Sequence, residues 1–312
     1  MPNDFNDIIK ELNKSVREFN KNIPESQRRM FDEIENQLRR LDLNGDKIKA
    51  TVKNLSVINS IKNKLNKIIL SEPYLDDVRE YLKTFNTVTT IQNDYWKSIE
   101  SKFKPRPLLK AIRNQAITDT AQALTEQGIS ANVSERIMII LRTNITTGGS
   151  YKDLTKQLRD GLLNTETPGF LDRYTRQITT DAIHQYSANY NQVVSSDLGY
   201  EWYKYDNTDI NTTRCFCDAM TDQPYFHLSE IPRLLRGDGL KCDDGKTPVA
   251  IYDKTGLPGG MIPGTNAENF LIRRGGYNCR HQCRPVNEKQ VPLAVRDRVF
   301  NTPAYQRWKG LQ

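Results

Sequence analysis

The first hundred residues carry hydrophobic side chains at steps of three and four positions, which is the spacing of one face of an α-helix. Four such stripes follow one another along the chain, at 5–19, 30–41, 48–68 and 75–99. The first stripe consists of Phe5, Ile8, Ile9, Leu12, Val16 and Phe19. Each stripe is narrow and the opposite face is polar, so one such helix alone buries little surface. The region is expected to form either a helical bundle or an elongated arm that docks on an assembly.

Local signals predict where the helices begin and end. Prolines interrupt the stripes, and Ser26 is a candidate N-cap for the second helix. The segment "FKPRPLLK" (103–110) predicts a linker, because its two prolines cannot continue a helix. Ser150 is a candidate N-cap beyond a glycine turn. Further helices are predicted at about 107–127, 132–143, 150–163 and 168–197.

The pattern changes after Gly199. The stretch "YEWYKYDN" (200–207) alternates aromatic and polar residues, as a half-buried strand does. The rest of the chain is rich in Gly, Pro and Asp, and it holds all five cysteines. A small module with so few apolar residues needs a covalent or metal crosslink to hold one structure.

These patterns predict a mainly α-helical protein with four segments. Residues 1–104 are expected to be an extended helical region, and 105–198 a helical core. Residues 199–290 are expected to form a small α+β, loop-rich, cysteine-containing module, and 291–312 a C-terminal tail.

The charge balance favours an acidic partner such as nucleic acid, because the formal net charge is +7. The basic residues are spread along the whole chain, so a solvated basic surface explains them equally well. The first residues, "MPNDFNDIIKEL", do not resemble a signal peptide, and no run of apolar residues is long enough to span a membrane. The protein is therefore expected to fold in a reducing cytoplasm, where clustered cysteines bind metal more often than they form disulfides.

The cysteines suggest a zinc site. Zinc prefers a tetrahedron of thiolate and imidazole ligands, and two short segments about sixty residues apart supply such groups. The candidate ligands are Cys215 and Cys217 in "RCFC", and Cys279, His281 and Cys283 in "NCRHQC". Either His281 or Cys283 would complete a set of four with the first three cysteines. Cys242 has no nearby partner and is read as a loop thiol. A Cys217–Cys279 disulfide and ordinary buried thiols are the alternatives.

No catalytic site can be assembled from the sequence, and the protein is not expected to be an enzyme. The patterns of zinc deaminases and zinc proteases are absent, and the chain has only three histidines. His184 lies alone on a predicted helix and is expected to be structural. His227 lies three residues before Glu230, which favours a contact at the start of a helix.

Four arginines near the second cysteine segment could form a basic patch beside the metal. They are Arg273, Arg274, Arg280 and Arg284. Such a patch is the feature expected of a nucleic-acid-binding zinc protein without a role in a virus particle, which is the alternative function.

The order of motifs resembles the phage head morphogenesis family, also described as Mu F-like minor capsid proteins. The resemblance covers about residues 110–290 and is carried most strongly by "TRCFCDAMTDQPYF" (213–226) and "GGMIPGTNAENFLIRRGGYNCRHQCRPV" (259–286). It supports the pairing of Cys217 with Cys279. Gly276 and Tyr277 stand where many members have a histidine, so His281 or Cys283 would replace that ligand. Cys215 stands where members often have another residue.

The resemblance implies a minor head protein of a tailed bacteriophage, present in several copies at the portal vertex or in the capsid interior. Its expected partners are the portal protein, the major capsid protein and the packaged DNA, with which some members leave the head. Before assembly the protein would lie in the host cytoplasm, without a membrane association. Some relatives carry an enzymatic domain after the motif, but only 26 residues follow Val286 here. The chain is therefore expected to represent the structural core alone.

Overall fold

A computed structural model describes residues 4–164, 166–206, 213–242, 244–252 and 254–311, and the protein is mainly α-helical, as predicted. The helices of the first two thirds are α1 (Phe5–Asn20), α2 (Ile23–Leu38), α3 (Val52–Ile69), α4 (Glu72–Ile99), α5 (Pro107–Leu124), α6 (Glu126–Ile129), α7 (Glu135–Thr146), α8 (Tyr151–Leu163) and α9 (Phe170–Asp197). The last third holds α10 (Cys215–Asp222), α11 (Ile231–Leu235), α12 (Phe270–Arg273), α13 (Leu293–Phe300) and α14 (Pro303–Gly310).

The strands are short and antiparallel where they pair. They are β1 (Leu43–Asn44), β2 (Lys47–Ile48), β3 (Trp202–Asp206), β4 (Tyr225–His227), β5 (Ile251–Tyr252), β6 (Leu257–Pro258) and β7 (Gln282–Val286). Single turns of 3₁₀-helix cover Leu228–Glu230 and Glu288–Gln290, and a π-helical turn covers Ser130–Ser134. Among the described residues, no helix is long and apolar enough to cross a membrane.

The chain forms two compact units, and each combines segments that lie far apart in the sequence. The first contains the segment ending at Asn13, Thr87–Asn114 and the chain from Thr180 onward. The second contains Lys14–Asn86 and Gln115–Thr179. This division differs from the predicted boundaries at 104, 198 and 290. Helices distant in sequence pack side by side, so burial joins segments that the sequence pattern separates.

In the second unit, α2 packs on α3 and α8, and the β1–β2 hairpin turns at Gly45, whose φ is +62°. Ser150 caps α8 as predicted, because its hydroxyl accepts the backbone N–H of Asp153. The prediction that Ser26 caps the second helix was wrong. That helix begins at Ile23 with Pro24 in its first turn, where a missing N–H costs nothing.

The apolar stripe of α1 is buried inside the chain, since its six predicted residues are at most 5% exposed. Phe19 packs its ring against Tyr74 and Tyr81 in the second unit, and Phe5 packs against Tyr95 in the first. The stripe therefore behaves as the interior face of a bundle. It does not offer an open surface for docking, as the elongated arm would require.

In the first unit, a three-stranded sheet with the order β4–β3–β7 forms the frame of the cysteine module. The predicted strand in "YEWYKYDN" is its central strand, β3. The register places Tyr205 opposite Cys283 and Trp202 opposite both His227 and Val286. One hydrophobic cluster contains Tyr203, Tyr205, Phe216, Phe226 and Phe270, among others.

The predicted C-terminal tail is folded against the sheet. Val299 is fully buried in a second cluster with Trp202, and the rings of Phe300 and Trp202 pack edge to face. The aromatic residues of α13 and α14 supply this contact, so the described residues 291–311 are part of the module and not a free tail.

Candidate metal centre

Two cysteines and one histidine from separate parts of the chain meet in the first unit. Cys217 lies in α10, Cys279 lies in the loop before β7, and His281 follows two residues later. All three are at most 5% exposed. One ligand atom from each lies within 4.8 Å of the others, and this is the group that could hold a metal ion among the described residues.

The sheet brings the two sequence segments together. Helix α10 packs on β3, and β7 pairs with β3 over its whole length. The segment that enters β7 therefore arrives beside the start of α10, although about sixty residues of chain separate them. The Cys279 Sγ then lies 3.7 Å from His281 Nδ1.

The loop before β7 has an uncommon backbone conformation. Arg274, Gly276 and Asn278 all have positive φ values, of 43°, 103° and 57°. The Arg214 guanidinium holds this loop by donating to the carbonyls of Gly275 and Tyr277, at 3.0 and 2.6 Å.

A second contact fixes the same loop from helix α9. The Asp181 carboxylate accepts the Asn278 backbone N–H at 2.6 Å. Burial raises the Asp181 pKa to about 6, although this hydrogen bond opposes the shift. The left-handed positions are therefore maintained by contacts on two sides of the loop, which is how a strained backbone persists.

Gly275 packs directly against the two sulfurs. A Cβ at this position would lie 2.3 Å from the Cys217 Sγ and 3.1 Å from the Cys279 Sγ. In addition, His281 Nε2 is buried without a hydrogen-bond partner among the described residues, and its Nδ1 contacts only the weakly accepting sulfur. Two closely spaced sulfurs beside a poorly satisfied imidazole fit a bound metal ion.

The two cysteines shift each other's pKa in opposite directions. A hydrogen bond from the Cys217 thiol holds the pKa of Cys279 well below its ordinary value, with a smaller contribution from His281 and the Arg274 charge. The same hydrogen bond, together with burial, raises the pKa of Cys217. Cys279 is therefore the first thiolate of the site, and thiolate is the form that binds metal.

Cys215, predicted as a ligand, is instead joined to Cys242 in a disulfide, with a Cα–Cα distance of 4.6 Å. This corrects two predictions, because Cys242 was read as a loop thiol without a partner. The one disulfide considered from the sequence was Cys217–Cys279. The folding of 218–241 that brings Cys215 and Cys242 together leaves no signal in their spacing.

Cys283 also lies outside the group of three. It sits in β7 opposite Tyr205, fully packed in the hydrophobic cluster, and burial raises its pKa to about 12. Of the five predicted ligands, the structure brings together Cys217, Cys279 and His281.

The predicted arginine patch is not an open basic surface. Arg274 is 1% exposed and donates to the His184 carbonyl, and Arg284 pairs with Asp206. Arg273 donates to the Pro263 carbonyl, and Arg280 is half-buried. Sequence alone did not show this, because an arginine that stabilises the interior looks the same as one that contacts a phosphate.

The other two histidines have structural contacts, as expected. His227 caps the 3₁₀ turn before α11, where its Nδ1 accepts the Ser229 N–H and Glu230 bonds back to the His227 N–H. His184 is fully buried, and its Nδ1 lies 3.0 Å from Gln282 Nε2.

Two residues of the site were missed by sequence reasoning. Tyr205, in the aromatic alternation of β3, brings its hydroxyl to both sulfurs, and Gly275 packs against the same two sulfurs. The glycine pair one residue before "NCRH" was the one signal that could have pointed to close packing there. In comparisons with known proteins, no protein-family model, curated protein or solved structure matches this chain.

Proposed function

We propose that the chain is a minor head protein of a tailed bacteriophage, and that its C-terminal module is held together by a structural zinc ion. One observation supports this most directly. The two motif steps that carry the family resemblance, Thr213–Cys217 and Asn278–His281, are distant in sequence but contribute Cys217, Cys279 and His281 to one buried cluster. That is the pairing which the resemblance implies.

Zinc suits the chemistry of the cluster. Two ligands around a tetrahedral zinc ion lie about 3.5 to 3.8 Å apart, given the usual zinc–sulfur and zinc–nitrogen bond lengths. The distance of 3.7 Å between Cys279 Sγ and His281 Nδ1 matches that range. When bound, the ion supplies fixed coordination bonds. The chain's own residues enclose it, since the three ligands are buried and the Gly275 backbone lies directly against the sulfurs.

The metal site would join the two ends of a long segment of the chain. Residues 218–278 leave α10 and return to the same place, and joining their ends with a metal offsets the entropy cost of that closure. A module with this crosslink keeps its shape while it binds other head proteins. The partners we propose are the portal protein or the major capsid protein, with packaged DNA as a further contact.

The alternative, a nucleic-acid-binding zinc protein, has weaker support. Recognition of DNA bases needs side chains that can reach into a groove of the duplex. Arg274 is buried and Arg284 forms an ion pair with Asp206, so neither side chain is free to do this. The remaining basic residues are dispersed over the chain, which suits general proximity to DNA better than recognition of a sequence.

Quantitative mass spectrometry of purified particles tests the proposal. Peptides of this chain should be present at a few to a few dozen copies per particle, in constant ratio to the portal protein across a density gradient. The matched control is a host protein of similar abundance, whose ratio to the portal protein should decrease as the particles are purified. Absence of the chain from intact particles, with abundance only in the infected-cell lysate, would contradict the assignment.

A further inference from the structure

Tyr205 has an unusual set of partners for a buried phenol. Its side chain is 1% exposed, in the central strand of the sheet. Among the described residues, its hydroxyl contacts two sulfurs, Cys217 Sγ at 3.4 Å and Cys279 Sγ at 3.7 Å. A buried tyrosine hydroxyl normally finds an oxygen or nitrogen partner, and sulfur is a weak acceptor. The hydroxyl is thus placed where it gains little in the absence of a further group.

The Tyr205 oxygen and the two sulfurs border the same small volume. The point where a Cβ of residue 275 would stand lies 2.3 Å from Cys217 Sγ, 3.1 Å from Cys279 Sγ and 3.2 Å from the Tyr205 oxygen. The ring of His281 stacks on the Tyr205 ring, with centroids 5.0 Å apart. A tetrahedral ion with zinc-like bond lengths places its sulfur and oxygen ligands about 3.5 Å from one another. The distances of 3.4 and 3.7 Å from the Tyr205 oxygen to the sulfurs agree with that geometry.

The charge of Arg274 supports an anionic oxygen at this position. Arg274 is 1% exposed and its Nε has no hydrogen-bond partner; its charge interacts with the Asp181 carboxylate, which Arg214 also approaches. Buried charges are normally paired. A divalent ion with two thiolates and one imidazole is neutral, which leaves the two guanidinium groups of Arg214 and Arg274 with the single Asp181 carboxylate. Adding a phenolate gives the centre one negative charge, which the neighbouring Arg274 balances.

We propose that Tyr205 is the fourth protein ligand of the metal centre, so that the site consists of Cys217, Cys279, His281 and Tyr205. This inference rests on the metal site of the proposed function. On binding, the phenol O–H and the two thiol S–H bonds break, their protons pass to solvent, and the oxygen and sulfurs each form a bond to the divalent ion. No electron is transferred, and no position is left for water.

Titration of the full-length protein with Zn²⁺ and Co²⁺ tests this ligand. Wild type should bind one ion per chain, give the intense visible absorption of tetrahedral Co²⁺, and develop the ultraviolet difference band of a phenolate on addition of Zn²⁺. Tyr205→Phe should lower the affinity roughly tenfold or more and abolish the phenolate band. The matched control is Tyr203→Phe in the same strand, which is equally buried but hydrogen-bonds to Ser195, and it should leave both readouts unchanged.

The outcomes separate the two proposals. Equal affinity and equal phenolate bands in wild type and Tyr205→Phe would overturn the tyrosine ligand while leaving the metal site intact. Failure of wild type to bind either ion would overturn the ligand together with the metal site, whereas the virion role is decided by its own experiment. The phenolate band is measured on wild type alone. Its presence or absence therefore tests the Tyr205 ligand even where Tyr205→Phe weakens folding.

Discussion

Cys215 and Cys217 lie two residues apart in the first turn of α10, yet their sulfurs have different partners. Cys215 is bonded to Cys242, whereas Cys217 lies beside Cys279 and the Tyr205 hydroxyl. Positions i and i+2 of a helix point to different sides, so this pair cannot serve one tetrahedral ion as readily as the spacing suggests. The module therefore has two separate crosslinking points instead of one site with four cysteines.

Removing the disulfide should leave metal binding intact. The double variant Cys215→Ser, Cys242→Ser should bind as much zinc as wild type. Under oxidising conditions its free energy of unfolding should fall by about 3 to 4 kcal/mol, because the disulfide closes a loop with a sequence separation of 27 residues. Elemental analysis and denaturant unfolding check the two effects. With reductant present the stability difference should vanish, and Cys217→Ser should lose the metal with the disulfide still formed. Loss of zinc in the double variant would return Cys215 to the ligand set.

Gly275→Ala should remove metal binding without any change to a ligand. Its new Cβ would stand 2.3 Å from the Cys217 Sγ, so either the sulfur or the loop must move. Overpacking of this kind costs about 1 to 3 kcal/mol of stability. The control is Gly310→Ala, where a Cβ meets no atom within 4 Å. Zinc content and thermal unfolding of the two variants give the comparison, and unchanged zinc binding by Gly275→Ala would show that the volume beside the sulfurs is not the ion's position.

His184 should make the metal-free protein sensitive to acid. Burial lowers its pKa from 6.5 to about 3, so the folded protein keeps it neutral while the unfolded chain takes up a proton below pH 6.5. The contribution to stability is complete above pH 6.5 and declines as the pH falls toward 3, by about 1.4 kcal/mol per pH unit.

The difference between wild type and His184→Gln isolates this group. The free energy of unfolding of wild type should fall more steeply than that of the variant between pH 6.5 and pH 4.5, as measured by urea unfolding without metal. Parallel curves would mean that His184 is protonated in the folded state.

Arg274 should contribute to stability and metal affinity, not to DNA binding. Arg274→Met removes a buried charge beside the metal centre and should destabilise the metal-loaded protein by about 3 kcal/mol, since the negative charge of the site would lose its counter-charge. Arg273→Met, at the half-exposed neighbouring position, should have little effect on stability. Mobility-shift titration with duplex DNA should give the same affinity for Arg274→Met and wild type. A selective loss of DNA affinity in Arg274→Met would restore the predicted basic patch.

Much of the fold follows from local physics that the sequence displays. The stripes of apolar residues specify helix faces, and most of these residues are buried, although Val52, Leu55 and Ile99 near the helix ends stay exposed. The alternation in "YEWYKYDN" identifies β3, Ser150 caps α8, and His227 begins a helical turn beside Glu230. The error at Ser26 has a local cause as well, because a proline in the first turn allowed the helix to begin four residues earlier.

The candidate site is only half determined by the sequence. Residue type and spacing placed Cys217, Cys279 and His281 among five candidate ligands, since thiolate and imidazole are what zinc prefers, but they did not choose between His281 and Cys283. The sequence could not assign a partner to Cys215 or Cys242, because their approach depends on the path of the chain between them. It also could not separate the buried Arg274 from arginines that face solvent, since burial is a property of packing. The roles of Tyr205 and Gly275 were decided by tertiary structure alone, through the strand register and the left-handed loop that bring a phenol and a bare α-carbon against two sulfurs.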